Sequence, residues 1–166
     1  MIIILYPEKD YSSADIALKT QALAAGHNKA KNIYVVPKHY GRNENEIQKK
    51  MDKAKEVLLL AYDKLKLDDG TTKELDYLLD RGVKVHAIVP SEAELPNTPL
   101  IERYNYAHKD RKAFTETINT MVGYLSKQAA EELRDSTHKK TTELMVVAMA
   151  LVLSIVLLSS LGDGRK

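Results

Sequence analysis

Glu56-Val57-Leu58-Leu59-Leu60-Ala61-Tyr62 is the stretch on which the fold turns. It is the most apolar of four short runs that predict β-strands. The others are Ile2 to Tyr6, Asn32 to Val36 (closed by Pro37) and Val83 to Val89 (closed by Pro90). In Ile2 to Tyr6 the apolar residues are continuous rather than alternating, as expected of a strand covered on both faces.

The segments between these runs have helical spacing. From Ser12 to Ala25, apolar residues fall at Ala14, Ala17, Leu18, Ala22 and Ala25, with Ser12 or Ser13 expected to cap the start and Gly26 to end it. Asn43 to Ala54 predicts a polar helix. Thr71 to Arg81 predicts another, with Leu75, Leu78 and Leu79 on one face and Gly82 after it. Strands alternating with helices imply right-handed crossovers and a parallel sheet. Ile101 to Tyr106 supplies a candidate fifth strand at an edge, so the expected fold is α/β and flavodoxin-like, with four or five strands in the order 2-1-3-4-5.

From Asp110 the pattern turns helical again. Phe114, Ile118, Met121, Val122, Leu125, Ala129 and Leu133 form one apolar stripe, suited to packing on the sheet or to pairing with a second copy of the chain. A polar, basic hinge around Lys139 and Lys140 follows. Leu144 to Gly162 then carries no charge. At ~1.5 Å per residue such a helix is ~28 Å long, close to the apolar thickness of a bilayer. The expected organisation is an α/β domain at 1–109, a stem and hinge at 110–142, and a transmembrane helix at 143–162. Only four residues follow that span, so insertion after synthesis is expected, with the N-terminal domain in the cytoplasm and the lipid bilayer as a partner.

Composition narrows the function classes. Lys and Arg number 25 against 23 Asp and Glu, interspersed along the chain, which gives no reason to expect nucleic acid. There is no cysteine, so disulfides, thiolate metal sites and cysteine nucleophiles are excluded. The apolar start, Met1 to Tyr6, has no basic segment before it and is halted by Pro7-Glu8-Lys9-Asp10, unlike a signal peptide. No two of the five histidines have ligand spacing, and no Gly-rich phosphate loop is present, so neither a metal nor a cofactor is expected.

Ligands of open parallel sheets bind outside the carboxyl ends of the strands. Tyr6-Pro7-Glu8, Pro37-Lys38-His39-Tyr40, Tyr62-Asp63 and Pro90-Ser91-Glu92 fall there, with His39 placed to touch a ligand. The third loop runs from Asp63 to Asp68-Asp69-Gly70-Thr71-Thr72-Lys73-Glu74-Leu75-Asp76-Tyr77, followed by Gly82 and the fourth strand. In this order of residues, and in the first strand ending Tyr6-Pro7, the chain resembles the nucleoside 2-deoxyribosyltransferase group and, more distantly, TIR domains. It departs from them at Asp76, where those enzymes carry glycine, and at Glu8 to Tyr11, where they carry small residues.

The resemblance implies chemistry at a nucleoside or nucleotide N-glycosidic bond. Glu74 would be the nucleophile at the anomeric carbon, a role a carboxylate suits because the sugar centre gains positive charge. Asp68 would hold or protonate the base, Asp63 would assist, and Tyr6 would orient Glu74. Pro7, Asp69, Gly70, Thr71 and His39 would line the ligand, with the N–H groups opening the helix at Gly70 and Thr71 suited to a phosphate.

A plainer reading of the same residues stands beside it. Thr71-x-x-Glu74 fits a capping box, with Glu74 bonding back to the helix start, and Asp68-Asp69-Gly70 fits an ordinary turn. Three functions follow as expectations: a membrane-anchored N-glycosidic hydrolase or transferase, a nucleotide sensor coupled to its membrane helix, or a docking module without catalysis. Homo-oligomers are compatible with each.

Overall fold

The computed structural model describes residues 1–25, 33–39, 41–121 and 123. Its elements are β1 (Ile2–Leu5), α1 (Tyr11–Ala25), β2 (Ile33–Val35), α2 (Glu44–Met51), β3 (Glu56–Leu60), α3 (Asp69–Asp80), β4 (Lys84–Pro90) and β5 (Ile101–Tyr106). A helical stretch at 111–121 follows. All four strand pairings are parallel, and the sheet order is β2-β1-β3-β4-β5. This is the α/β sheet and the strand order that the alternation of apolar runs predicts.

The central strands are mostly apolar because each faces two cores, with Glu56 at the start of β3 and Lys84 and His86 in β4 as exceptions. Ile2, Ile4, Leu58, Leu60 and Ile88 pack with Ile16 and Ala17 of α1 and with Phe114, Ile118 and Met121. Ile3, Leu5, Val57, Leu59, Val85, Ala87 and Val89 pack on the other face with Ile47 and Met51 of α2 and Leu75 and Leu78 of α3. Alternate residues of one strand thus serve opposite layers. The first turns of the predicted C-terminal stripe therefore cover the same side of the sheet as α1.

Three local expectations are corrected. The cap of α1 is neither Ser12 nor Ser13 but Asp10, whose Oδ1 accepts the Ser13 N–H at 3.0 Å. Its other oxygen accepts the N–H groups of Tyr62 at 2.8 Å and Asp63 at 3.1 Å, so one side chain starts α1 and fastens the end of β3. Pro90 is the last residue of β4, opposite Tyr106 of β5, rather than a stop beyond it; at a strand end its missing N–H forfeits little of the ladder. Helix α3 begins at Asp69, not Thr71, because Asp68 caps it.

No helix among the described residues is long and apolar enough to cross a membrane. The transmembrane helix expected over 143–162 lies outside the described residues, as do Gly26 and the stripe positions beyond Met121.

Candidate functional site

The β3–α3 connection delivers a chain of bonds that fixes the start of α3. Asp68 Oδ1 accepts the Thr71 N–H at 2.9 Å, and Oδ2 accepts the Thr71 hydroxyl at 2.7 Å and the Glu8 N–H at 2.6 Å. Thr71 is buried, and its hydroxyl also lies 3.2 Å from the Tyr6 carbonyl. Asp68 and Thr71 thereby fasten α3 to the end of β1. Partial burial pushes the Asp68 carboxyl upward, but the Thr71 hydroxyl and N–H, the Glu8 N–H and the Lys38 charge outweigh it and hold the group below the usual carboxylate range.

That arrangement leaves Glu74 free of any capping duty, and the capping-box reading of Thr71-x-x-Glu74 is overturned. The Thr71 N–H is taken by Asp68, and Glu74 points the other way. Glu74 as a residue is 5% exposed. Oε2 is ion-paired with the Lys38 ammonium, itself buried, and Oε1 lies 2.9 Å from Arg42 Nη1. The Arg42 contact is a close ion pair rather than a well-aligned hydrogen bond. Arg42 in turn spends Nε and Nη2 on Glu44, at 2.6 and 2.9 Å, and donates Nη1 to the Pro37 carbonyl at 3.1 Å. These Glu44 bonds, and then the charge of Glu74, push the guanidinium well above its ordinary value against the opposing effect of burial.

Glu74 and Arg42 line an open cleft of about 500 Å³ between α2 and α3. Lys73, Gly70, Tyr77 and Glu44 contribute its polar wall, and Ile47 and Met51 its apolar floor. Two carboxylates (Glu74 and Glu44), two basic side chains (Arg42 and Lys73) and an aromatic ring converge there, with Lys38 behind Glu74. That set suits an anionic ligand of modest size with an electron-poor carbon presented to Glu74.

The residues singled out from sequence divide into two groups. Tyr6, Asp68, Thr71 and Glu74 meet around the start of α3. Tyr6 is buried, and its phenol is pushed upward by that burial and then by the charge of Glu74, with the Lys38 backbone N–H opposing. Asp63 turns to α1 instead: its Oδ2 accepts the Ser12 hydroxyl at 3.0 Å. Pro7 is buried beside Tyr6 in sequence, whereas Asp69, Gly70 and His39 are exposed. A β-carbon at Gly70 would lie 3.1 Å from Asp68 Oδ1, so the glycine keeps the cap unobstructed.

Lys38 and Arg42 were not reached by sequence reasoning as partners of Glu74. The signal was present: Lys38 is the first charged residue after β2, at the carboxyl edge where a buried acid on α3 needs a counter-ion. A second polar cluster, Asp10, Ser12, Ser13, Asp63 and Tyr106, is spent on structure. The Tyr106 hydroxyl donates to the Ala61 carbonyl, and the Ser13 hydroxyl accepts the Tyr62 N–H at 2.9 Å. Among the described residues no group of three or more His, Cys, Asp or Glu side chains is placed to hold a metal ion.

No family model, curated protein or solved structure matches this chain.

Proposed function

We propose that the cleft between α2 and α3 binds a nucleoside or nucleotide and that Glu74 acts on its N-glycosidic bond. The observation that carries this reading is a buried carboxylate, relieved of helix capping, in the wall of a ligand-sized cleft. A Glu74 oxygen attacks the anomeric carbon while the carbon–nitrogen bond breaks. The bonding pair leaves with the base, which takes up a proton. Water, or a second base, then displaces Glu74 and regenerates the carboxylate. Tyr6 and Asp68 serve as positioning residues, the first beside Glu74 and the second by holding the first turn of α3. Asp63, tied to Ser12, acts through the β3 end rather than on the ligand.

The flavodoxin-like domain is read as the cytoplasmic head of a chain tethered to the bilayer through 143–162. That tether would confine the reaction to the membrane surface.

One observation favours a second reading. Glu74 is paired with two cations, and a carboxylate so engaged is a weaker nucleophile. A site that retains its nucleotide intact, as a sensor linked to the stem, follows from the same geometry.

Incubating the full-length protein with a panel of nucleosides and nucleotides, and following base release by chromatography, tests the first reading. Release from at least one member, lost in Glu74→Gln, is the expected result. Binding without release moves the assignment to the sensor, and neither binding nor release removes both.

A further inference from the structure

We propose that Glu74 is a built-in competitor for the phosphate of the ligand: Lys38 and Arg42, which it holds, turn to a phosphate when one enters the cleft. The inference rests on, and deepens, the reading of the cleft as a nucleotide site. It selects phosphorylated ligands over bare nucleosides.

Both cations ride on one short connection between β2 and α2. Lys38 and Glu74 bury their charged side chains together, each 6% exposed. Arg42 is held by Glu44 and the Pro37 carbonyl and presents Nη1 to Glu74 Oε1 at 2.9 Å. Between them Gly41 turns the chain at φ +80, with nothing within 4 Å of where a β-carbon would stand. Among the described residues of this connection, Gly41 itself packs against nothing. Lys73 adds a third, exposed cation from α3 at the cleft wall.

The competition follows from charge and geometry. A buried ion pair gives back in desolvation much of what it gains in attraction, so exchanging one anion for another is close to balanced. A phosphate offers more negative charge and more acceptor oxygens than a carboxylate, and a guanidinium matches it in two-point fashion. Glu74 Oε1, buried and met by Arg42 Nη1 in a close but poorly aligned contact, marks where the present pairing is weakest. A ligand lacking phosphate has nothing to offer Lys38 or Arg42 and leaves the pair closed. A phosphorylated ligand draws both cations away and bares the Glu74 carboxylate once the sugar is seated.

The distinguishing signature is that removing the acid strengthens anion binding. Titration calorimetry on the full-length protein at fixed ionic strength, with inorganic pyrophosphate, adenosine 5′-monophosphate and adenosine, reads it directly. Glu74→Gln is expected to tighten pyrophosphate about tenfold and Lys38→Met to weaken it about tenfold. Lys73→Gln, an exposed change, is expected to weaken it about threefold without lowering the melting temperature. Lys53→Gln, outside the cleft, leaves it unchanged. An affinity for pyrophosphate that is unchanged or lower in Glu74→Gln overturns the proposal, as does the absence of binding in both proteins. Should Glu74→Gln fail to fold, Lys73→Gln decides, and an unaltered affinity there overturns it. Adenosine binding as tightly as the monophosphate also overturns it. Pyrophosphate behaving as expected while neither adenosine compound binds would leave the competition standing and remove the nucleotide reading beneath it.

Discussion

Asp68 on the β3–α3 connection accepts the backbone N–H of Glu8, just after β1, at 2.6 Å. Sixty residues apart in sequence, these two groups join the carboxyl end of β1 to the cap of the helix that carries Glu74. The position of Glu74 relative to Tyr6 is thus set by side-chain-to-backbone hydrogen bonds as well as by side-chain packing.

Asp68→Ala removes the cap and this tie together, and is expected to cost about 1–3 kcal/mol of stability. Asp68→Asn keeps one acceptor oxygen and loses less. Because the folded carboxyl lies below its ordinary value, the Asp68 contribution is full above the unfolded pKa and declines as pH falls through the folded one. Urea denaturation at pH 7 and pH 3 checks both points: the variant and the parent should differ less at the lower pH.

The Lys38–Glu74 pair should behave as a unit. Glu74→Gln leaves the buried Lys38 charge without its partner, at a cost of about 3–5 kcal/mol, and Lys38→Met leaves Glu74 with Arg42 alone, at a somewhat smaller cost. The double variant should be more stable than the sum of the two losses by about 2 kcal/mol or more. A double-mutant cycle by denaturant unfolding measures that coupling, and additive losses would contradict the burial described for this pair.

His86, buried on β4, gives the fold an acid limit. Burial, and then the nearby Lys84 charge, push its imidazole down to about 4, with Glu102 opposing. An unfolded chain takes up this proton near pH 6.5, whereas the folded one resists until about pH 4. The contribution is therefore complete above pH 6.5 and falls away as pH drops towards 4, by roughly 3 kcal/mol in all. His86→Gln should flatten the stability profile over that interval, and an unchanged slope would assign the acid sensitivity elsewhere.

Membrane attachment has its own check. With 143–162 as a span, the full-length chain should sediment with membranes and resist extraction by alkaline carbonate. Leu153→Arg with Val156→Arg, at about 2.5–3.5 kcal/mol each in an apolar helix centre, should release it to the supernatant. Equal sedimentation of the parent and the double variant would deny the span.

The sheet was legible in the sequence because its information is local. The runs at β1 and β3 are short and nearly unbroken in apolar residues, and β4 is interrupted only by Lys84 and His86, a pattern suited to strands with two covered faces. Even β5, with two of its six residues exposed, showed itself by position after the Pro-rich loop. The caps were harder. Asp10, Ser12 and Ser13 are all able to begin α1, and what selects Asp10 is its second oxygen, which reaches Tyr62 and Asp63 some fifty residues away. The same holds at α3, where Asp68 and Thr71 both suit a helix start and the distant Glu8 N–H and Tyr6 carbonyl favour the first. The partners of Glu74 were hidden for a similar reason: Lys38 stands 36 residues earlier, and no spacing rule connects them.

The two cores on opposite faces of the sheet bear on how the polypeptide is cut for study. Phe114, Ile118 and Met121 roof the α1 side, far along the chain from the Glu74 cleft on the other side. A fragment stopping after β5 would keep every cleft residue yet bare Ile88, Leu58 and their neighbours to water. Its failure would look like a broken site when the fault was a missing lining on the reverse of the sheet. Expression boundaries meant to preserve the cleft therefore belong beyond Met121.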